Sequence, residues 1–347
     1  MKTHRISFWI LSFVFISVLN ACKKDSEVEE EIAPPDSFRG LVVPSHFPAP
    51  HYLSSNNPIT EKGFELGRKL FYDPYLSIDN SVSCGTCHAQ VHAFADHSVR
   101  FSTGVSGELS KRNSPSMFNL AWNTSFMWDG GVNHIEVMPI APLVHADEMG
   151  ETIEHVVEKL NAHPTYPELF KDAFGVDVIT DQQMLWAFAQ FMSMMISDDS
   201  KYDRVVLGKE TFTAIEQHGY ELFLQNCNSC HTAPLFTDYS FRNNGLTNDF
   251  TSDNGREHIT LDPADRGKFK VPSLRNVQIS YPYMHDGRLD NLSEVINHYS
   301  EGIIASSTLD PSLSNMNFTA EEKAALIAFL YTLNDYSFLG NHAISEP

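Results

Sequence analysis

Cys84-Gly85-Thr86-Cys87-His88 and Cys227-Asn228-Ser229-Cys230-His231 are two copies of one pattern, and together they use four of the chain's five cysteines. Cys-x-x-Cys-His is the attachment pattern of c-type haem. Two thiols can join the vinyl groups of one porphyrin edge, and the adjoining histidine then lies beneath the iron as its proximal ligand. A zinc site or a redox dithiol also uses Cys-x-x-Cys. A histidine directly after each pair, in surroundings that repeat, favours haem over both. The expectation is two covalent c-type haems, on Cys84 and Cys87 with His88, and on Cys227 and Cys230 with His231.

Working outward from these sites exposes an internal duplication. Gly67-Arg68-Lys69-Leu70-Phe71 precedes the first site and Gly219-Tyr220-Glu221-Leu222-Phe223 the second. After the sites, Pro115-Ser116-Met117 and Asn119 match Pro272-Ser273-Leu274 and Asn276. Phe126-Met127-Trp128-Asp129-Gly130 then matches Tyr283-Met284-His285-Asp286-Gly287.

Helical spacing of apolar residues marks 60–72 and 211–224 before the two sites, 152–160, 167–173 and 182–196 between them, and 321–333 at the end. Strand-like alternation is scarce. The fold class predicted is all-α: two cytochrome c-like domains with long loops ordered by packing on haem, at 45–205 and 206–347. Met192, Met194 and Met195 read as core packing rather than iron ligands.

The N-terminus reads as an export signal, residues 1–21. Lys2 and Arg5 are followed by an apolar stretch, Ile6 to Leu19, which is short for a membrane span. Leu19-Asn20-Ala21-Cys22 resembles a lipobox, which makes Cys22 a candidate lipid anchor and 22–44 a charged, proline-containing tether. Removing the signal takes away Lys2 and Arg5 and no acid, so the formal charge moves from −20 to −22. Such acidity argues against nucleic acid as a partner and favours a basic docking surface, steered by charge and weakened by salt. The expected address is exported, on the periplasmic side, with membrane attachment by the lipid anchor alone.

With these residues in hand, the chain from about 45 to 340 resembles the bacterial di-haem cytochrome c peroxidases and the related MauG enzymes. The resemblance rests on the paired haem sites, Arg112-Asn113-Ser114-Pro115, Trp128-Asp129-Gly130, Lys270-Val271-Pro272-Ser273-Leu274-Arg275-Asn276-Val277, and Tyr283-Met284-His285-Asp286-Gly287. It implies a peroxide-reacting haem at His88 and an electron-entry haem at His231. Glu148 takes the place of the family's distal acid-base glutamate, and Trp128 that of the relay between haems. Asn113 with the Ser280 and Pro282 carbonyls corresponds to a calcium site, a donor set that suits a hard cation.

The chain departs from the peroxidase pattern at three positions. Met138 stands where a distal glutamine is expected, and it either packs or approaches the iron. Val105 replaces a capping histidine, which implies an open resting site as in MauG; His92 and His97, near His88, are the alternatives that could reach around. Tyr299 stands at the place of the second haem's distal methionine, as in MauG, with Met284 as the competing ligand. The function expected is an exported di-haem peroxidase that reduces hydrogen peroxide to water with electrons from a small cytochrome c or cupredoxin. The alternatives are a MauG-like oxidase acting on a protein substrate and a non-catalytic di-haem electron carrier. A homodimer is a candidate assembly.

Overall fold

In the computed structural model of the chain, residues 38–52, 55–96 and 98–347 are described. The signal, Cys22, the tether up to residue 37 and His97 lie outside the described residues. In chain order the helices are α1 (Glu61–Tyr72), α2 (Cys84–Cys87), α3 (Ile140–Val144), α4 (Ile153–Ala162), α5 (Tyr166–Phe174) and α6 (Asp181–Ser193). After these come α7 (Lys201–Val206), α8 (Ala214–Asn226), α9 (Glu257–Thr260), α10 (Leu292–Glu301), α11 (Ala320–Tyr331) and α12 (Tyr336–Leu339). Among the described residues, regular sheet is confined to two antiparallel strands, β1 (Phe241–Arg242) and β2 (Phe269–Lys270), with Phe241 opposite Lys270. The all-α class is therefore observed.

Side-chain caps start the long helices. Thr60 Oγ accepts the Gly63 N–H at α1. Thr180 with Gln183, Thr213 with Glu216, and Thr319 with Glu322 form reciprocal capping boxes at α6, α8 and α11. The predicted helices lie within two or three residues of these bounds. One longer helix, α10, was not predicted.

The duplication seen in sequence is repeated in three dimensions. In the first repeat α1 crosses α6, and a Cβ on Gly67 would stand 2.0 Å from the Ala187 carbonyl oxygen. In the second, α8 crosses α11, and a Cβ on Gly219 would stand 1.9 Å from that of Ala325. Both crossings put backbone against backbone, which only glycine permits. Leu70, Phe71, Phe188 and Phe191 anchor the apolar cluster around the first crossing, and Leu222, Phe223, Phe329 and Leu330 the cluster around the second.

The turns are duplicated as well. Asn119 and Asn276 take left-handed φ of 53° and 55°. Asn119 exchanges side-chain hydrogen bonds with the Ser197 backbone just after α6, and Asn276 accepts the Asp335 N–H just after α11. Matching bridges, Phe126 with Val132 and Tyr283 with Leu289, close the Trp128 and His285 loops.

Two features tie the repeats to each other. Arg275, fully buried, makes a two-point ion pair with the equally buried Asp203 at 2.8 and 2.6 Å, and His46 Nε2 meets the same carboxylate at 2.9 Å. The chain's end returns to the first repeat, where Phe338 and Ile344 join its apolar cluster.

Gly67→Ala and Gly219→Ala are each expected to destabilise the fold by about 1–3 kcal/mol, because the crossing helices must separate. Denaturant titration of each variant checks this, with Gly208→Ala as a left-handed surface glycine whose Cβ would meet no atom within 4 Å.

Candidate functional site

A single cavity of about 990 Å³ runs through the core, and Cys84, Cys87 and His88 share its wall with Cys227, Cys230 and His231. The four cysteines are free thiols. Burial pushes Cys84 and Cys227 up to about 12 and Cys87 to about 11. Thiols held this high are poor redox dithiols, which act through a depressed pKa.

The histidines are set by backbone carbonyls. His88 Nδ1 lies 2.7 Å from the Phe94 oxygen, and His231 Nδ1 lies 3.2 Å from the Phe236 oxygen. A carbonyl can only accept, so Nδ1 carries the proton and Nε2 keeps its lone pair for a metal. Both acceptors stand in left-handed turns, Phe94 at φ 56° and Phe236 at φ 54°. Burial also lowers the pKa of both imidazoles, which favours the neutral, ligating form. Free thiol pairs at the wall, neutral imidazoles with fixed tautomers and a largely apolar cavity fit two c-type haems.

Glu148 lines the cavity on the first-repeat side, near enough for its charge to act on Cys84 and Cys87. Burial raises its pKa, with Asp147 adding to the rise and His145 opposing it. Its loop is fastened from behind. The Val105 N–H donates to the Glu148 carbonyl at 2.9 Å, and Gly104 sits so close that a Cβ would lie 1.9 Å from the Asp147 oxygen. Val105 therefore holds the Glu148 loop through its backbone and is not part of the cavity wall; His92 is also off the wall. Met138 lines the cavity and packs on the first apolar cluster.

On the second-repeat side, Asn244 Nδ2 reaches both Met284 Sδ, at 3.4 Å, and Tyr299 Oη, at 3.3 Å. The two rival ligands thus converge on one amide and share the cavity wall. Tyr299 is presented by α10, and burial raises its pKa while Asn244 opposes that.

Trp128 stands where the repeats interleave. Its indole N–H donates to the Asn113 carbonyl at 2.8 Å, its own carbonyl accepts the Lys270 N–H at 2.7 Å, and the Asn113 N–H donates to the His285 carbonyl at 2.8 Å. Arg112 bridges Asp129 and Asp253 alongside. Burial lowers Lys270 to about 8, although Asp129 favours its charge. Asn113, Ser280 and Pro282 line the same cavity, and the Asn113 amide nitrogen donates to the Val99 and Arg100 carbonyls. Among the described residues no group of three or more histidine, cysteine or carboxylate side chains could hold a metal ion. A cation at Asn113 would rest on neutral oxygens and water.

Three cavity residues escaped the sequence reading. His145 borders Glu148 and accepts the Asp147 N–H. Asn244 bridges the rival ligands. Met316 lines the wall, with its N–H bonded to the Tyr299 carbonyl at 3.1 Å. The last two lie far in sequence from any motif, and no spacing rule reaches them.

A helical fold with two Cys-x-x-Cys-His loops facing one cavity defines a di-haem c-type redox protein. The sequence profile of the di-haem cytochrome c peroxidases matches residues 61–211. The methylamine utilization protein MauG of Methylorubrum extorquens is 36% identical over 281 residues, 80% of this chain and 79% of that protein. A cytochrome c551 peroxidase of Nitrosomonas europaea is 32% identical over 274 residues, 78% of this chain and 79% of its own. The crystal structure of a MauG-like protein associated with microbial copper homeostasis superposes with a TM-score of 0.83 at 33% identity, covering 88% of this chain and 98% of that one. The chain belongs to the di-haem cytochrome c peroxidase family, and it is an oxidoreductase whose family carries two c-type haems.

Tyr299→Phe is expected to change the low-spin haem spectrum of the oxidised protein, whereas Met284→Leu leaves it in place. Absorption and electron paramagnetic resonance spectra of the two variants check this, and the reverse pattern moves the ligand to Met284.

Proposed function

We propose that this chain is an exported di-haem peroxidase that reduces hydrogen peroxide to water, with electrons from a small cytochrome or cupredoxin entering at the His231 haem and passing to the His88 haem. The observation that carries the reading is Glu148, a carboxyl of raised pKa on the wall of the cavity that His88 also lines, near enough to Cys84 and Cys87 for its charge to act on them. On this reading residues 45–205 form the peroxidatic domain and 206–347 the electron-transfer domain.

Cys84, Cys87 and His88 would hold the first haem, which would supply the redox change for O–O cleavage. The chain's own part is proton handling and positioning. A Glu148 carboxylate oxygen takes the proton from one peroxide oxygen and returns it to the other as that oxygen leaves as water. Two electrons and two further protons complete the conversion to two waters. Trp128 relays electrons across the junction, where the Asn113 carbonyl fixes its indole N–H and the Lys270 N–H fixes its main chain.

A second reading is favoured by two particular residues. Val105 cannot cap an iron, and Tyr299 offers a phenolate that makes higher oxidation states easier to reach. These fit a MauG-like oxidase that withdraws electrons from a partner protein's side chains.

Further parts of the proposal concern address and metal binding. Cys22 is the acylated residue of a lipoprotein on the periplasmic side, with no other membrane attachment; no helix among the described residues is long and apolar enough to cross a membrane. Asn113, Ser280 and Pro282 hold one calcium ion between the repeats.

Glu148→Gln is expected to slow the reaction with peroxide by about 10²–10⁴-fold while both haems stay attached; stopped-flow absorption reads the rate, and an unchanged rate removes Glu148 from the mechanism. The deprotonated carboxylate is the active base and burial raises its pKa. The wild-type rate should therefore climb with pH along a limb displaced upward from the ordinary 4.5. The same limb is expected to be absent in Glu148→Gln. Trp128→Phe should slow electron transfer between the haems, measured by reducing one haem and following the other; full steady-state activity in that variant would leave Trp128 a packing residue.

A further inference from the structure

The backbone that holds His88 is itself held by the far end of the chain. Ala93 and Phe94 are both left-handed at φ 56°, a conformation that is unfavourable for a residue with a Cβ and persists only where the surroundings enforce it. Phe94 is fully buried, and its ring rests on Phe71, with centroids 6.0 Å apart, and on Phe338, at 5.6 Å. Phe338 belongs to α12, which comes after the second repeat's last long helix. It also touches Phe118 of the first repeat, at 6.0 Å.

The segment around Phe338 is fastened to the His88 loop and to α1. Gln90 Nε2, inside the loop, donates to the Phe338 and Asn341 carbonyls at 3.1 and 2.8 Å. Arg68 and Tyr72 of α1 donate to the Ala343 and Ile344 carbonyls at 2.8 and 2.9 Å. At its start, Asp335 caps α12 by accepting the Phe338 N–H, and its other oxygen accepts the N–H groups of Asp198 and Asp199.

The second repeat has the reciprocal arrangement. Phe236, whose carbonyl holds His231, meets Tyr202 edge-on at 4.8 Å. Tyr202 lies on α7, which follows the first repeat's last long helix, α6. Each repeat thus lends an aromatic side chain, from the short helix after its crossing pair, to the carbonyl turn beneath the other repeat's histidine.

We propose that Phe338 is a positioning residue for His88: the C-terminal segment 335–344 presses the Phe94 turn so that its carbonyl accepts the His88 Nδ1–H, which sets the donor strength of Nε2 toward the first iron. A shorter Nδ1–H···O contact makes the imidazole a stronger donor, and the His88 contact is the shorter of the two, 2.7 against 3.2 Å. The end of the second repeat thereby tunes the electronic state of the first iron without touching it. The inference rests on His88 being an iron ligand.

The test uses the full-length holoprotein and two variants, Phe338→Ala and Gln90→Ala. The second leaves the core intact and loosens only the clasp, so it carries the test if Phe338→Ala does not fold. Resonance Raman of the reduced protein reads the iron–histidine stretch of any five-coordinate haem, and spectroelectrochemistry reads the two potentials separately. Haem content and the spectrum of the wild type establish independently that His88 holds an iron. Both variants are expected to lower the iron–histidine frequency and raise the potential of the His88 haem, with the His231 haem unchanged. Restoring bulk with Phe338→Leu should recover part of the shift. Folded variants with an unmoved His88 haem would reduce Phe338 to core filling, and equal shifts at both haems would replace the specific effect with a general loosening.

Discussion

A buried imidazole presents its Nε2 lone pair to a metal when its proton stays on Nδ1, and a fixed acceptor at Nδ1 keeps it there. That requirement organises this protein twice. His88 and His231 each follow a Cys-x-x-Cys pair, and each donates its Nδ1–H to a phenylalanine carbonyl five or six residues on. To aim those carbonyls back, Phe94 and Phe236 take a left-handed conformation that favours glycine. Packing must hold what local preference resists. The buried aromatics around each turn, the Gly67 and Gly219 helix crossings and the buried Arg275–Asp203 pair are that packing.

The electrostatics of the cavity differ between its two sides. On the first, a carboxyl raised by burial stands near Cys84 and Cys87, and the Val105 N–H holds that carboxyl's loop from behind. On the second, a phenol and a thioether converge on one amide. Such asymmetry suits a division of labour in which one iron meets the oxidant and the other stays covered. Trp128, hydrogen-bonded to main chain at Asn113 and Lys270, lies where that division has to be bridged.

Much of this was legible in the sequence because it is local. Cysteine spacing, the Gly67 and Gly219 repeats and the apolar spacing of the long helices depend on neighbours within a turn or two, and they point to the helices and to the two Cys-x-x-Cys-His loops that face the cavity. The helix α10, which presents Tyr299, was missed although Asn291 and Glu294 mark its start and Leu292 and Ile296 its buried face. The polar Asn297, His298 and Ser300 diluted that periodicity, and two of them are buried by tertiary contacts. Asn244 and Phe338 were beyond reach for a different reason. Each acts on a partner that the fold brings close, and no spacing rule encodes the pairing.

The account's central claim is that one of two histidine-held irons faces an open position beside Glu148 while the other is covered. Adding one equivalent of hydrogen peroxide to the purified protein with both haems oxidised, and following the spectrum on the millisecond scale, tests it most directly. The account predicts a rapid spectral change in wild type from a resting state that contains one high-spin and one low-spin haem. Two low-spin haems and no reaction with peroxide in the oxidised protein would contradict it.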